Sequence, residues 1–389
     1  MNLDNSAQTA PPPVESRPGN PDAPRAGVEY ANLDLLRSIA VLSVFFGHVT
    51  LFHGLLRLGP FHLILMGVLG VMLFFVHTCL VLMESLERQW QRYFRTVPNR
   101  ATGSLVFFVE FMMRRCFRIY PLSVAAILLI LVFRLPFASI SPGHFSGFVP
   151  DAGDVLANLF LVQNLSLRTP MLGPMWSLPY ELQMYLFLPW MFLVLLPSRS
   201  VWRIGAAWTA ALCLALVVGH FRPNPSLVLF LPCFLPGVLA YQLQRTVKPQ
   251  LPGFLWPFMA LLPCSLFLLA EPGMNWPEKW TLCFVIGLAI PFFHQIRQRQ
   301  LVAASHLIAK YSYGIYLTHF FAIWFAFQYL GGASLAWKIL AFLLLAAALP
   351  VVFYHLLEQP MIDLGKRLAD RYVREKLSSA ARAQAIANL

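Results

Sequence analysis

Arg37 and His48 stand eleven residues apart in one apolar stretch, residues 33–56. If that stretch is helical, eleven steps of about 100° bring the two side chains to within about 20° of each other, roughly 16 Å apart along the axis. A guanidinium and an imidazole on one stripe of a membrane-length helix are costly in lipid. They therefore turn toward a bundle interior or a wet cavity, and there they mark function. The plainer alternative has Arg37 reaching to the headgroups and His48 packing through a hydrogen bond.

Four more constellations carry polar groups into apolar surroundings. The run FMMRRCFRIYPL, residues 111–122, holds Arg114, Arg115 and Arg118. Their forked donors suit phosphate, whether of a ligand or of a lipid anchor. The run MWSLPYELQMYLFLP, residues 175–189, places Glu181 where a carboxylate needs a partner or a proton. Trp176 beside it reads as an interfacial anchor rather than a substrate platform. In YSYGIYLTHFF, residues 311–321, Ser312, Tyr313, Tyr316 and His319 recur at steps of three to four. One helix face would hold all four, lining a passage or packing by interhelical hydrogen bonds. In HLLEQP, residues 355–360, Glu358 precedes the helix-ending Pro360, and an ion pair with the arginines would satisfy it. His77 lies mid-span, where packing is the simpler role. The other histidines (53, 62, 144, 220, 294, 306 and 355) lie near expected interfaces, where solvated or lipid-facing roles dominate.

The elements that must position these groups follow from composition. Of 389 residues, 58% are hydrophobic and 12% charged, against about 25% charged in ordinary soluble domains. Apolar runs recur at 33–56, 62–83, 119–138, 176–196, 202–220, 226–244, 252–270, 280–296, 308–329 and 337–357. The expected fold is an all-α, multi-pass integral membrane protein of about ten spans. Residues 155–167 are too short to cross. The net charge of +12 is not that of a nucleic-acid binder. With ten spans, the cations of the expected 84–118 loop, such as Arg88, Arg92, Arg95 and Arg100, fall on one side. They are joined there by Arg199, Arg203, Arg245, Lys248, Arg297, Arg299 and the tail from Lys366 to Arg382. The other side shows only scattered cations such as Arg57, Arg168, Arg222 and Lys279. That bias puts both termini in the cytoplasm and the basic surface against anionic lipid. Residues 1–30 read as a disordered cytoplasmic lead without a signal peptide, 31–360 as the membrane domain, and 361–389 as a basic tail on the inner surface. Residues 139–175 form the longest outer segment and could lid or line a site. The six cysteines have no ligand spacing, so neither a disulfide nor a metal site is expected.

In order and depth these elements resemble the membrane acyltransferase 3 family, bacterial-type O-acyltransferases of about ten spans. The family's Arg-x10-His falls on Arg37 and His48, and its Arg-x-x-Arg with Ile and Pro on Arg115, Arg118, Ile119 and Pro121. Its Trp-Ser/Thr-Leu-x-x-Glu is similar to Trp176, Ser177, Leu178 and Glu181. Its Ser-Tyr-x-x-Tyr-x-x-His resembles Ser312, Tyr313, Tyr316 and His319, and its Glu-x-Pro falls on Glu358 and Pro360. One element departs: where the family shows Phe-Phe-x-Leu-Ser-Gly-Phe, this chain has Phe74, Phe75, Val76, His77, Thr78, Cys79 and Leu80. The hydroxyl survives, the glycine is lost and His77 is extra.

The resemblance implies acyl transfer in the inner membrane from acyl-coenzyme A, acetyl by default, to a hydroxyl of a glycan or lipid-linked sugar. His48 would be the general base, ahead of an acyl-histidine relay, with Arg37 and Glu181 beside it. Arg114, Arg115 and Arg118 would hold the coenzyme A phosphates. Ser312, Tyr313, Tyr316, His319, Trp176, His77 and Glu358 would line the substrate passage, with no metal. Nothing in the chain specifies an oligomer. The rival readings are a secondary transporter, in which buried His, Arg and Glu form a proton relay, and a glycan export or assembly protein.

Overall fold

A computed structural model describes residues 30–94, 100–195, 200–221, 225–273 and 276–387. The expected disordered lead therefore lies outside the described residues apart from its last one, as do Arg95, Arg199 and Arg222.

The chain is almost wholly helical. α1 (Ala31–Phe52) leads through the two-residue strands β1 (Arg57–Leu58) and β2 (Phe61–His62) to α2 (Met66–Gln89) and α3 (Arg100–Phe133). A second antiparallel hairpin, β3 (Ser139–Ser141) with β4 (His144–Ser146), pairs Ile140 with Phe145. The short α4 (Ala152–Leu159) follows, then α5 (Leu178–Leu195), α6 (Val201–Phe221) and α7 (Leu227–Gln244). Next come α8 (Trp256–Phe267), α9 (Trp276–Ala289), α10 (Arg299–Ile323), α11 (Leu335–Phe353) and α12 (Gln359–Ala387). Among the described residues, seven helices are long and apolar enough to cross a membrane by length and composition. The expected spans 252–270, 280–296 and 308–329 fall on α8, α9 and α10, which are helical but are not among those seven. α8 and α9 run only 12 and 14 residues.

α1 lies between α2 and α10, and α2 in turn packs on α7. That central place is what permits polar groups on α1. The periphery is different: α11 exposes Leu335, Trp337, Leu343 and Leu344, an apolar surface suited to lipid. The helices approach through small residues. A Cβ on Gly70 of α2 would stand 2.3 Å from the carbonyl oxygen of Ala40 on α1, so nothing larger fits. The missing glycine of α2 has a counterpart across the interface. Gly237 of α7 faces Cys79, and a Cβ there would lie 2.2 Å from the carbonyl oxygen of Val76. Close approach of α2 and α7 is kept, with the small residue on the facing helix.

The 84–118 segment is not the long basic loop that its charges suggested. α3 already runs from Arg100, so Arg114, Arg115 and Arg118 are set in the middle of a 34-residue helix. Val106, Phe107 and Phe111 are buried at helical spacing, and that apolar stripe carries the helix through the charges. At the other end of the chain, a π-helical turn at Tyr354–Glu358 joins α11 to α12 without a break, and α12 packs along α3.

Candidate active site

α10 is the hub of the polar interior. The Tyr313 hydroxyl donates to the Ile119 carbonyl of α3 at 2.7 Å. The Tyr316 hydroxyl donates to the Pro174 carbonyl and lies 2.8 Å from the Ser177 hydroxyl, both just before α5. Nε2 of His319 lies 3.0 Å from Nδ1 of His48 on α1. These bonds tie three separate stretches of sequence to one face of one helix. Ser312 is buried there too, donating to the Ala309 carbonyl.

The bonds of the histidine pair fix where its protons lie. Nδ1 of His48 is 2.9 Å from the Val44 carbonyl, and Nδ1 of His319 is 3.0 Å from the Ile315 carbonyl. A carbonyl only accepts, so each Nδ1 carries the hydrogen. The single Nδ1–H of His48 is then shared between the Val44 carbonyl and the Nε2 lone pair of His319, and Nε2 of His48 is left unprotonated. A Cβ on Gly67 would lie 3.8 Å from that nitrogen, so the missing side chain leaves its edge open. Phe320 meets the His48 ring edge-on at 4.9 Å, and Phe145 of the β3–β4 hairpin packs on Phe320 at 5.1 Å. The β3–β4 hairpin thus covers the pair with aromatic rings.

Three adjoining cavities connect these groups. The outermost, about 490 Å³, is lined by Arg37, Arg114, Arg115, Arg118, Lys310 and Lys366, among others. The next, about 310 Å³, shares Arg37, Arg115 and Arg118 with it and adds His77, Ser177, Glu181, Ser312, Tyr313 and Tyr316. The third, about 110 Å³, shares Val71 and Tyr316 with the second and holds His48, Gly67 and Trp176. Arg37 and His48 therefore both face the interior, in neighbouring cavities rather than in one channel.

Several expected roles change. Glu181 does not orient His48, whose ring partner is His319. Glu181 instead accepts from the Tyr185 hydroxyl and, at 3.4 Å, from Thr78, inside the arginine-lined second cavity. Its place among the arginines has a packing reason. Met171, Leu172 and Met175 are buried, so the chain before α5 is tucked into the bundle. Arg114 is already occupied, donating to buried Glu110 at 2.5 Å and to Asp370 at 2.7 Å. Arg115 and Arg118 are the pair left to the second cavity. Arg118 lies 3.9 Å from Glu358, the ion pair expected for that carboxylate. The buried Nε atoms of Arg37 and Arg115 have no hydrogen-bond partner among the described residues. Trp176 lines the small cavity beside His48 and packs near Phe230, which is more than an interfacial anchor does. His62 is buried beside Arg57 rather than solvated.

The sequence reading missed Tyr185, Gly67 and Lys310. Gly67 carried no chemical signal at all. Tyr185 stands one turn after Glu181, which was a signal that could have been used. Residues 30–355 match a family model described as an acyltransferase domain. No curated protein and no solved structure matches the chain.

Proposed function

This chain belongs to the acyltransferase 3 family and is a membrane acyltransferase, and from that premise we propose that it moves an acyl group, acetyl by default, from acyl-coenzyme A to a hydroxyl of a cell-envelope glycan or lipid-linked sugar. The end of the bundle that carries the arginines and both termini is the cytoplasmic side of the inner membrane. The observation that carries this reading is the series of cavities running from the arginines, past Tyr316, to the open edge of His48. Arg115 and Arg118 are suited to the donor's phosphates, with Arg37 beside them, and the thioester end extends toward Tyr316.

Nε2 of His48 takes the proton of the acceptor hydroxyl as its oxygen attacks the thioester carbon. The tetrahedral intermediate collapses with cleavage of the C–S bond, and the imidazolium returns the proton to the departing thiolate. His319 accepts from Nδ1–H of His48 throughout, holding the ring in the basic tautomer. The third cavity, at about 110 Å³, has room for a hydroxyl-bearing arm. Tyr316 is poorly suited to stabilise the oxyanion, since its hydrogen is directed to the Pro174 carbonyl.

The test uses proteoliposomes and labelled acetyl-coenzyme A, with envelope glycan as acceptor. Wild type transfers label and His48→Ala does not, although it is expressed and inserted normally. Full transfer by His48→Ala rejects the assignment of the base.

A further inference from the structure

The matched segment ends at residue 355, but the cationic chamber does not. Gln359, Ile362 and Lys366 of α12 complete its wall. α12 is held there by close contacts with α3. A Cβ on Gly365 would stand 2.4 Å from Cβ of Phe117 on α3, so the two backbones meet at this point. One turn further on, Asp370 accepts from Arg114 at 2.7 Å. Ala369 and Val373 are fully buried on the same side.

The chamber carries more positive charge than its own carboxylates answer. Glu110 and Asp370 hold Arg114, Glu358 stands by Arg118, and Asp34 is engaged with His306 at 2.9 Å. Arg37, Arg115 and Lys310 remain, and the Nε atoms of the two arginines are buried without a hydrogen-bond partner among the described residues. Lys366 is bonded to Asp363 at 3.1 Å, and Lys310 sits over the rings of Tyr311 and Tyr354. The cations also differ in place. Arg37, Arg115 and Arg118 stand where the chamber meets the second cavity, whereas Lys310, Lys366 and the carboxylate-bound Arg114 line only the chamber. Forked guanidiniums suit a bridging diphosphate, and compact ammonium groups suit a dianionic phosphomonoester. A coenzyme A donor presents thioester, pantetheine arm, diphosphate and phosphomonoester in that order. The cavities present His48, Tyr316, arginines and lysines in the same order.

We propose that α12, from beyond the matched acyltransferase segment, supplies through Lys366 a subsite for the donor's terminal phosphomonoester, with Lys310 as its neighbour from α10. This rests on the acyl-coenzyme A reading above. The test measures the affinity of the full chain in nanodiscs for coenzyme A and for 3′-dephospho-coenzyme A by calorimetry. Wild type prefers coenzyme A by about tenfold, the scale of one charge-assisted contact. Lys366→Gln loses that preference while binding the dephospho form as before, and Lys366→Arg keeps most of it. Arg371→Gln, on the same helix but paired outward with Glu375, changes nothing. Coenzyme A affinity unchanged in Lys366→Gln, or no preference in wild type, overturns the proposal and leaves the donor reading intact. So does a Lys366→Gln defect confined to binding vesicles of anionic lipid, which would assign the lysine to headgroups. A wild type that binds neither coenzyme overturns the donor reading and this proposal with it.

Discussion

The cationic chamber and the histidine pair hold their polar groups by opposite means. In the chamber, charge is held by charge: Arg114 by Glu110 and Asp370, Arg118 by Glu358. In the pair, the imidazoles bond to each other and to main-chain carbonyls one turn back, under aromatic rings. The difference fits the proposed division of labour. Carboxylates hold Arg114 and Arg118 in place, while the buried Nε atoms of Arg37 and Arg115 have no hydrogen-bond partner among the described residues and stay open to an anion. A base that has to stay neutral until a proton arrives is served by neutral dipoles that set its tautomer.

The largest expected effect tests that division directly. His48→Ala lowers kcat by about 10²–10⁴ at saturating donor, the usual contribution of a general base, with donor affinity unchanged. Arg115→Gln does the reverse, weakening the donor Kd by about tenfold with kcat nearly intact. Exchange of the two signatures in single-turnover and binding measurements would break the comparison. Arg114→Ala is next, because it strands a fully buried carboxylate, Glu110, and loosens α12. A destabilisation of about 3–5 kcal/mol is expected in unfolding experiments. Restored stability in Arg114→Ala/Glu110→Gln would show that the stranded charge is the cause. His319→Gln comes third, with kcat down about tenfold and donor affinity kept, as for a positioning residue rather than the base. Equal losses in His319→Gln and His48→Ala would mean that the two rings act as one unit.

The smallest effect is in the segment between α3 and α5, where the same kind of ion pair is exposed. Arg168 donates to Asp151 at 2.6 Å and to Asp154 at 3.1 Å, and the two carboxylates form a capping box at the start of α4. The Arg168 guanidinium, with the Asp154 main-chain N–H, holds the Asp151 carboxyl below its usual range. A lowered value means that the contribution is complete above the ordinary carboxylate pKa and is lost only as pH falls through the lowered one. Stability is therefore flat from pH 5 to 8 in this respect, and Asp151→Asn changes the melting temperature far less than Arg114→Ala. A comparable drop would show that burial is not what separates the two pairs.

Some of this was legible in the residues alone. The apolar runs marked the helices, because a membrane-length stretch has few other uses, and the spacing of Arg37 and His48 put both on one inward stripe. The step of three to four between Ser312, Tyr313, Tyr316 and His319 placed them on one face, as found. Charge patterning misled at residues 100–118. A run of arginines reads as loop, yet buried Val106, Phe107 and Phe111 keep the segment helical. The partners of Glu181 were not legible, because they depend on how far the preceding stretch enters the bundle, and Met171 and Met175 are buried.

The sequence by itself determined most of the helical segments and which faces carry polar groups, because hydrophobic period and the cost of charge in lipid act locally along one chain. Only the tertiary structure decided which polar groups meet. His48 finds His319 rather than Glu181, Arg114 is bound to Asp370, and the loss of a glycine in α2 is met by Gly237 across the interface. Those pairings span hundreds of residues, and they depend on how closely helices can approach and where each begins in depth. Both are set by packing among all the helices at once and by no single stretch of residues.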